Sequence, residues 1–153
     1  MKSNTYSYVL ILAALVMSIG TFAQAQLPTD VTITADIPFP FIVGNTTLGP
    51  GKYVIRSGED PDNDFIVIRG ESGHPAVMVL VVGNELHTVP TQTELEFDRY
   101  GDQEFLSKIL VGGIDNDVQL EGSRAEFKLM KRGLRPRVHR HPAVLQRGTA
   151  KKK

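Results

Sequence analysis

Glu94-Leu95-Glu96-Phe97-Asp98-Arg99-Tyr100-Gly101-Asp102-Gln103-Glu104-Phe105-Leu106-Ser107-Lys108-Ile109-Leu110-Val111 reads as two strands and a tight turn. Leu95 and Phe97 alternate with Glu94, Glu96 and Asp98, a period of two that sends apolar groups to one face and acids to the other. Arg99-Tyr100-Gly101-Asp102 reads as the hairpin tip. With Gly101 and Asp102 as the two central turn residues, Arg99 faces Glu104 and Phe97 faces Leu106. The segment from Glu104 to Val111 returns as the second strand.

Outward from this hairpin the same vocabulary repeats. Val31 to Ala35 reads as a strand. Ile37, Phe39 and Phe41 alternate with Pro38 and Pro40, which donate nothing to a ladder, so this stretch is an edge strand or an extended connection with three apolar groups on one face. Gly44-Asn45 and Gly49-Pro50-Gly51 are turn signals. Lys52 to Arg56 and Phe65 to Arg69 are short strands. Ala76-Val77-Met78-Val79-Leu80-Val81-Val82 is an unbroken apolar run, expected to be central and covered on both faces. About seven short strands between turns predict a mainly β fold, an antiparallel β-sandwich or small barrel. Near its end, Ser123-Arg124-Ala125-Glu126 fits a capping box. It predicts one short C-terminal helix, lined by Ala125 and Leu129 with Phe127 and Met130, and ended by Gly133.

The chain of 153 residues has 17 basic and 17 acidic side chains and no Cys, so the formal charge is zero and disulfides, thiol nucleophiles and Cys-based metal sites are excluded. The zero conceals three segments. Lys2, the apolar run Tyr8 to Ile19 and Ala23-Gln24-Ala25 form the pattern of a signal peptide over residues 1–25. An apolar run of about 12 residues is short of the roughly 20 that span a bilayer. Residues 26–123 carry five bases against 16 acids, and residues 124–153 carry 11 bases against one acid. The expected organisation is a signal peptide over 1–25, a β-rich domain over 26–133 and a basic, disordered tail over 134–153. Such asymmetry marks an interaction segment or a pairing within the chain.

Candidate sites follow from the charged residues. Lys131, Arg132, Arg135, Arg137, Arg140 and Lys151-Lys152-Lys153 are the candidate polyanion contacts, through counterion release. The competing reading is a solvated extension, or one lying on the acidic body. Asp60, Asp62, Asp64 and Glu71 match positions of a calcium loop, but Phe65 stands where the turn glycine belongs, so a solvated acidic turn is the expectation. Asp115-Asn116-Asp117 reads as a second acidic turn. His139 and His141 share a face of an extended segment without a third ligand nearby, and His74 and His87 are isolated. Asn45-Thr46-Thr47 fits a glycosylation acceptor and reads as a turn. No nucleophile elbow, zinc-binding helix or phosphate loop is present in the sequence, and no cofactor is implied.

Four stretches together resemble an uncharacterised family of small exported β-rich proteins of acidobacterial-type soil bacteria. They are Ile37 to Leu48, Gly49 to Arg56, Phe97 to Leu106 and Ser123 to Glu126. The family pattern reads P-F-x-F-x-V-G-N, then P-A-G-x-Y, F-x-R-Y-G-D and S-R-A-E. Here Gly49-Pro50-Gly51 replaces Pro-Ala-Gly, and the C-terminal segment is longer and more basic. The resemblance implies an exported β-rich scaffold and brings no catalytic residue with it.

The expected function is therefore a non-enzymatic envelope protein, periplasmic or extracellular, that binds or scaffolds and touches an anionic surface with its basic segment. A carrier of a small apolar ligand is the alternative, and would need a cavity lined by Val77, Val79, Val81, Leu95 or Phe97. A hydrolase would need a concave cluster of acids with raised pKa.

Overall fold

The computed structural model describes residues 31–57, 65–71 and 77–147. The signal-peptide pattern, the acidic loop 58–64, His74 and Lys151-Lys152-Lys153 lie outside the described residues. Within them are eleven strands and one helix: β1 (Val31–Ile37), β2 (Phe41–Val43), β3 (Thr46–Leu48), β4 (Gly51–Ser57), β5 (Phe65–Gly70), β6 (Val77–Glu85), β7 (Glu94–Tyr100), β8 (Gln103–Leu110), β9 (Asn116–Leu120), α1 (Arg124–Lys131), β10 (Arg137–Pro142) and β11 (Val144–Arg147).

The hairpin at β7–β8 forms in the expected register, with Arg99 opposite Glu104 and Phe97 opposite Leu106. Gly101 has φ of 62° while Asp102 does not enter the positive-φ region, the pattern of a type II′ turn. Between Glu96 and Phe97 the register shifts, so β8 carries one extra residue, Ser107. Its hydroxyl donates to the Glu96 carbonyl at 3.1 Å, which ties down the bulge.

The strands run in the order β10-β7-β8-β9-β6-β5-β4-β1-β11, and the short β2–β3 hairpin joins β8 through the parallel pair Ile42 and Phe105. The path turns two corners. At the first, β6 serves both halves: Val77–Leu80 pair with β5, and Val81–Glu85 pair with β9. At the second, β10 pairs β7 and β11 pairs β1, with Ala143 alone between them. Ala143 donates its N–H to the Thr93 carbonyl at 2.9 Å and holds the junction. The two ends of the strand order are thus consecutive in the chain, and the circuit closes into a sandwich-like barrel whose corners are strands that change sheet. β10, β11, β3 and each half of β6 are paired on one side only.

Residues 134–147, expected to be the start of a disordered tail, are ordered instead, and residues 148–153 lie outside the described residues. Residues 137–142 and 144–147 are the closing strands, and residues 132–134 cap the end of α1. Polar composition misled the sequence reading. β10 is buried on neither face as a core strand would be; its His139 and His141 are half-buried against Phe39, with ring centroids 5.2 and 5.8 Å away. Backbone pairing to β7, and not apolar content, fixes it.

A cluster of buried apolar side chains forms the core. Ile33, Phe41, Tyr53, Ile55, Ile66, Ile68, Leu95, Phe97 and Ile109 are all buried. The alternation at Ile37, Phe39 and Phe41 points as expected, since all three pack on this core. Phe41 meets Tyr53 edge-on at 5.0 Å and Phe97 at 5.7 Å, geometries that aromatic quadrupoles favour. Val77, Val79, Leu95 and Phe97, which an apolar ligand would have had to touch, belong to the packed cluster instead.

One expected burial is reversed. β6 is central in the strand order, yet it is bare on its outer face: Met78, Leu80 and Val82 are 67%, 58% and 63% exposed. A run without polar alternation carries no information about which face is covered.

Candidate functional site at the α1–β10 corner

Local sequence fixes α1. Ser123 is the N-cap, and its hydroxyl accepts the Glu126 N–H at 3.0 Å. The Glu126 carboxylate accepts the Ser123 N–H in return, completing the capping box. Asn45, at the β2–β3 turn, accepts the Arg124 N–H at 3.4 Å. At the other end Gly133 has φ of 79°, its N–H reaches the Met130 carbonyl, and Leu134 N–H reaches the Leu129 carbonyl. This is a Schellman closure, which requires the left-handed residue at Gly133.

The helix is not apolar on the side expected. Glu126 is its buried residue and Leu129 is half-buried, whereas Ala125, Phe127 and Met130 face outward. Phe127 and Met130, three residues apart on the helix, and Leu134, just past its end, are each about half exposed. Around them stand the exposed bases Arg124, Lys128, Lys131, Arg132, Arg135 and Arg137.

The basic residues then divide. Arg137 lies directly opposite Arg99 in the β10–β7 pair. With Arg135 and Gly101 these line a cleft of about 440 Å³. Like charges facing one another across strands are unfavourable. Glu104 relieves part of the cost, lying 3.4 Å from Arg99 Nε on the far side. Arg99 Nε also donates to the Gly101 carbonyl at 3.0 Å, which orients the guanidinium. Among the described residues no carboxylate lies within ion-pair distance of Arg135, Arg137, Lys131 or Arg132.

Arg140 behaves differently. Its Nε reaches Glu96 at 3.0 Å and its Nη1 reaches Glu94 at 3.8 Å. Lys108 continues the series, 3.7 Å from Glu96 and 3.6 Å from Asp117. Four strands are thus crossed by Arg140, Glu96, Lys108 and Asp117 in alternating sign. Asp117, expected in the acidic turn Asp115-Asn116-Asp117, is instead the second residue of β9 and is only 2% exposed. The basic segment therefore divides between neutralising the body's acids and standing free. Arg99, paired with Glu104 and far from that segment in sequence, is brought beside Arg135 and Arg137 only through the β7–β10 pairing, so no local signal placed it there.

The remaining candidates carry little chemistry. His139 lies 3.6 Å from Glu104, and His141 Nε2–H donates to the Asp36 carbonyl at 2.7 Å. Among the described residues no group of three potential ligands could hold a metal ion. Glu71, the described end of the calcium-loop pattern, follows β5 and is exposed. Asp98 and Glu126 are both pushed above the ordinary carboxylate range, Asp98 by burial and then by Glu96, Glu126 by burial and then by Asp98. Tyr100 beside them is raised by burial and by both carboxylates. The pair has structural work, since Glu126 caps α1 and Asp98 shares the Ser107 hydroxyl with the Glu96 carbonyl. Among the described residues no helix is long and apolar enough to cross a membrane. Compared with family models, curated proteins and solved structures, the chain matches none.

Proposed function

We propose that the protein is a non-enzymatic, exported component of the cell envelope that docks on anionic surfaces through the α1–β10 corner. The observation carrying this reading is the exposed apolar side chains Phe127, Met130 and Leu134 set among bases that lack acidic partners among the described residues. Apolar tips within a basic surround are the chemistry of a protein that sits at the headgroup boundary. Each base near an anionic bilayer contributes about 1 kcal/mol, so the five or six here suffice for reversible attachment. The cleft of Arg99, Arg135 and Arg137 supplies donors that pair bidentately with phosphate or carboxylate oxygens. Val77, Val79, Leu95 and Phe97, the residues an apolar-ligand carrier would line its cavity with, are buried in the core cluster.

Co-sedimentation with vesicles tests the reading. Phosphatidylglycerol vesicles should retain the protein at low salt, phosphatidylcholine vesicles should not, and raising the salt should release it. Arg135→Gln with Arg137→Gln should lower retention at least tenfold. Phe127→Ser with Met130→Ser should lower retention on vesicles and leave binding to heparin or DNA unchanged. Arg140→Gln should have a small effect, because Arg140 is engaged by Glu94 and Glu96. Absence of binding to every anionic partner at low salt rules the proposal out. Equal loss on heparin and vesicles with the Phe127 and Met130 changes silent would make the partner a soluble polyanion.

A further inference from the structure

The outer face of β6 presents a second apolar surface. Met78, Leu80 and Val82 project from it at more than half exposure. Val67 and Phe65 of β5 lie directly opposite Met78 and Leu80 and extend the patch. Beyond them on β4 and β5 come two cations, with Arg56 opposite Val67 and Arg69 opposite Val54. Both belong to the rim of a groove of about 530 Å³ floored by Val54, Phe65 and Val67. On the other side of β6 stands an acid. Glu121 donates its backbone N–H to the Leu80 carbonyl at 3.2 Å, which sets the residue beside the apolar stripe. Arg56, Arg69 and Glu121 are exposed, and none has an ion-pair partner among the described residues. Across the strands the surface therefore reads cation, apolar, acid.

That order is self-complementary under one operation. A two-fold axis parallel to β6 inverts the face and exchanges left for right. It lays stripe on stripe and brings the cation flank of each copy over the acid flank of the other. An axis across the strands would oppose cation to cation instead, at a cost in like-charge repulsion. We propose that the protein forms an isologous homodimer through the outer face of β6, with Met78, Leu80 and Val82 packed on their own copies and Glu121 of each copy entering the Arg56–Arg69 groove of the other. Sheets stacked face to face in this way bury apolar side chains between them, the arrangement of a sandwich core.

Sedimentation equilibrium of the purified protein should give twice the chain mass at high micromolar concentration. Met78→Lys should return the monomer mass with the far-ultraviolet circular dichroism unchanged. Two charge-reversal variants give a test that does not depend on disturbing the apolar stripe. Glu121→Arg alone, and Arg56→Glu with Arg69→Glu alone, should each weaken self-association at least tenfold. An equimolar mixture should restore the dimer, because opposite charges then meet at both contacts. At one contact the reversed position 121 faces the reversed positions 56 and 69; at the other the native Glu121 faces the native Arg56 and Arg69. A monomer at all concentrations, a dimer indifferent to Met78→Lys, or a mixture that stays monomeric while the parent dimerises overturns the proposal. Monomers that bind phosphatidylglycerol vesicles through this face would identify lipid as its occupant, and also overturn it. Because the vesicle-docking residues lie at the α1–β10 corner, either proposal can fail alone.

Discussion

Glu126 shows how one side chain answers two opposing demands. Its carboxylate caps α1 by accepting the Ser123 N–H, which favours the charged form, while burial and the neighbouring Asp98 favour the neutral form and prevail. A carboxyl whose pKa rises on folding binds its proton more tightly in the native state. Its stabilising contribution is fully present below the ordinary carboxylate range, about pH 4, and is lost as pH rises through the raised native value. Asp98 acts in the same direction. Glu126→Gln keeps an acceptor for the cap and removes the titration. The thermal midpoint of this variant, measured from pH 4 to pH 8, should gain on the parent as pH rises; parallel curves would show that Glu126 does not couple to folding. Ser123→Ala, which removes the other half of the box, should cost about 1 kcal/mol at any of these pH values in urea denaturation. The capping box was legible in four residues because it is a local exchange of hydrogen bonds. The burial of Glu126 was not, because it depends on where β7 lies.

Elements were legible in proportion to their amphipathicity. β7 and β8 follow from a period of two and a turn, and their register followed from counting outward from Gly101 and Asp102. β9 was hidden, since Asn116 and Asp117 resemble a turn until Lys108 is seen beside Asp117. The same hidden charge pairing makes a prediction about sheet packing. Arg140, Glu96, Lys108 and Asp117 alternate in sign across β10, β7, β8 and β9, and the two carboxylates are buried while the two cations are partly exposed. Lys108 touches both acids, so removing it leaves each with less compensation. Breaking a fully buried ion pair costs about 3–5 kcal/mol. With the Lys108 side chain 34% exposed, Lys108→Ala should cost less, on the order of 2 kcal/mol in chemical denaturation. Adding Asp117→Asn should recover part of that loss, since the uncompensated charge goes with it. A neutral Lys108→Ala would mean that solvent already satisfies both acids.

At the scale of the molecule, the charge asymmetry and the topology are the same fact. Residues 124–153 hold 11 of the 17 bases, and residues 137–147 of that segment close the strand circuit by pairing with β7 on one side and β1 on the other. Nothing in a polar, proline-bearing stretch signals this, because β10 and β11 are recruited by backbone hydrogen bonds to strands that already exist. The consequence separates a tail from a stave. If the segment were an appendage, ending the chain after Leu134 would remove anion binding and leave folding intact. As a stave it cannot be removed without damage: β1 and β7 would each lose one of their two ladders, Phe39 its histidine neighbours, and Glu94 and Glu96 their arginine. Unpaired edges of that kind invite association between chains. The chain ended after Leu134 should therefore lose its cooperative unfolding transition and its solubility, whereas the chain ended after Arg147 should melt within a few degrees of the parent. Calorimetry on the two truncations decides the matter, and a cooperative transition in the shorter one would show that the barrel folds without its closing strands.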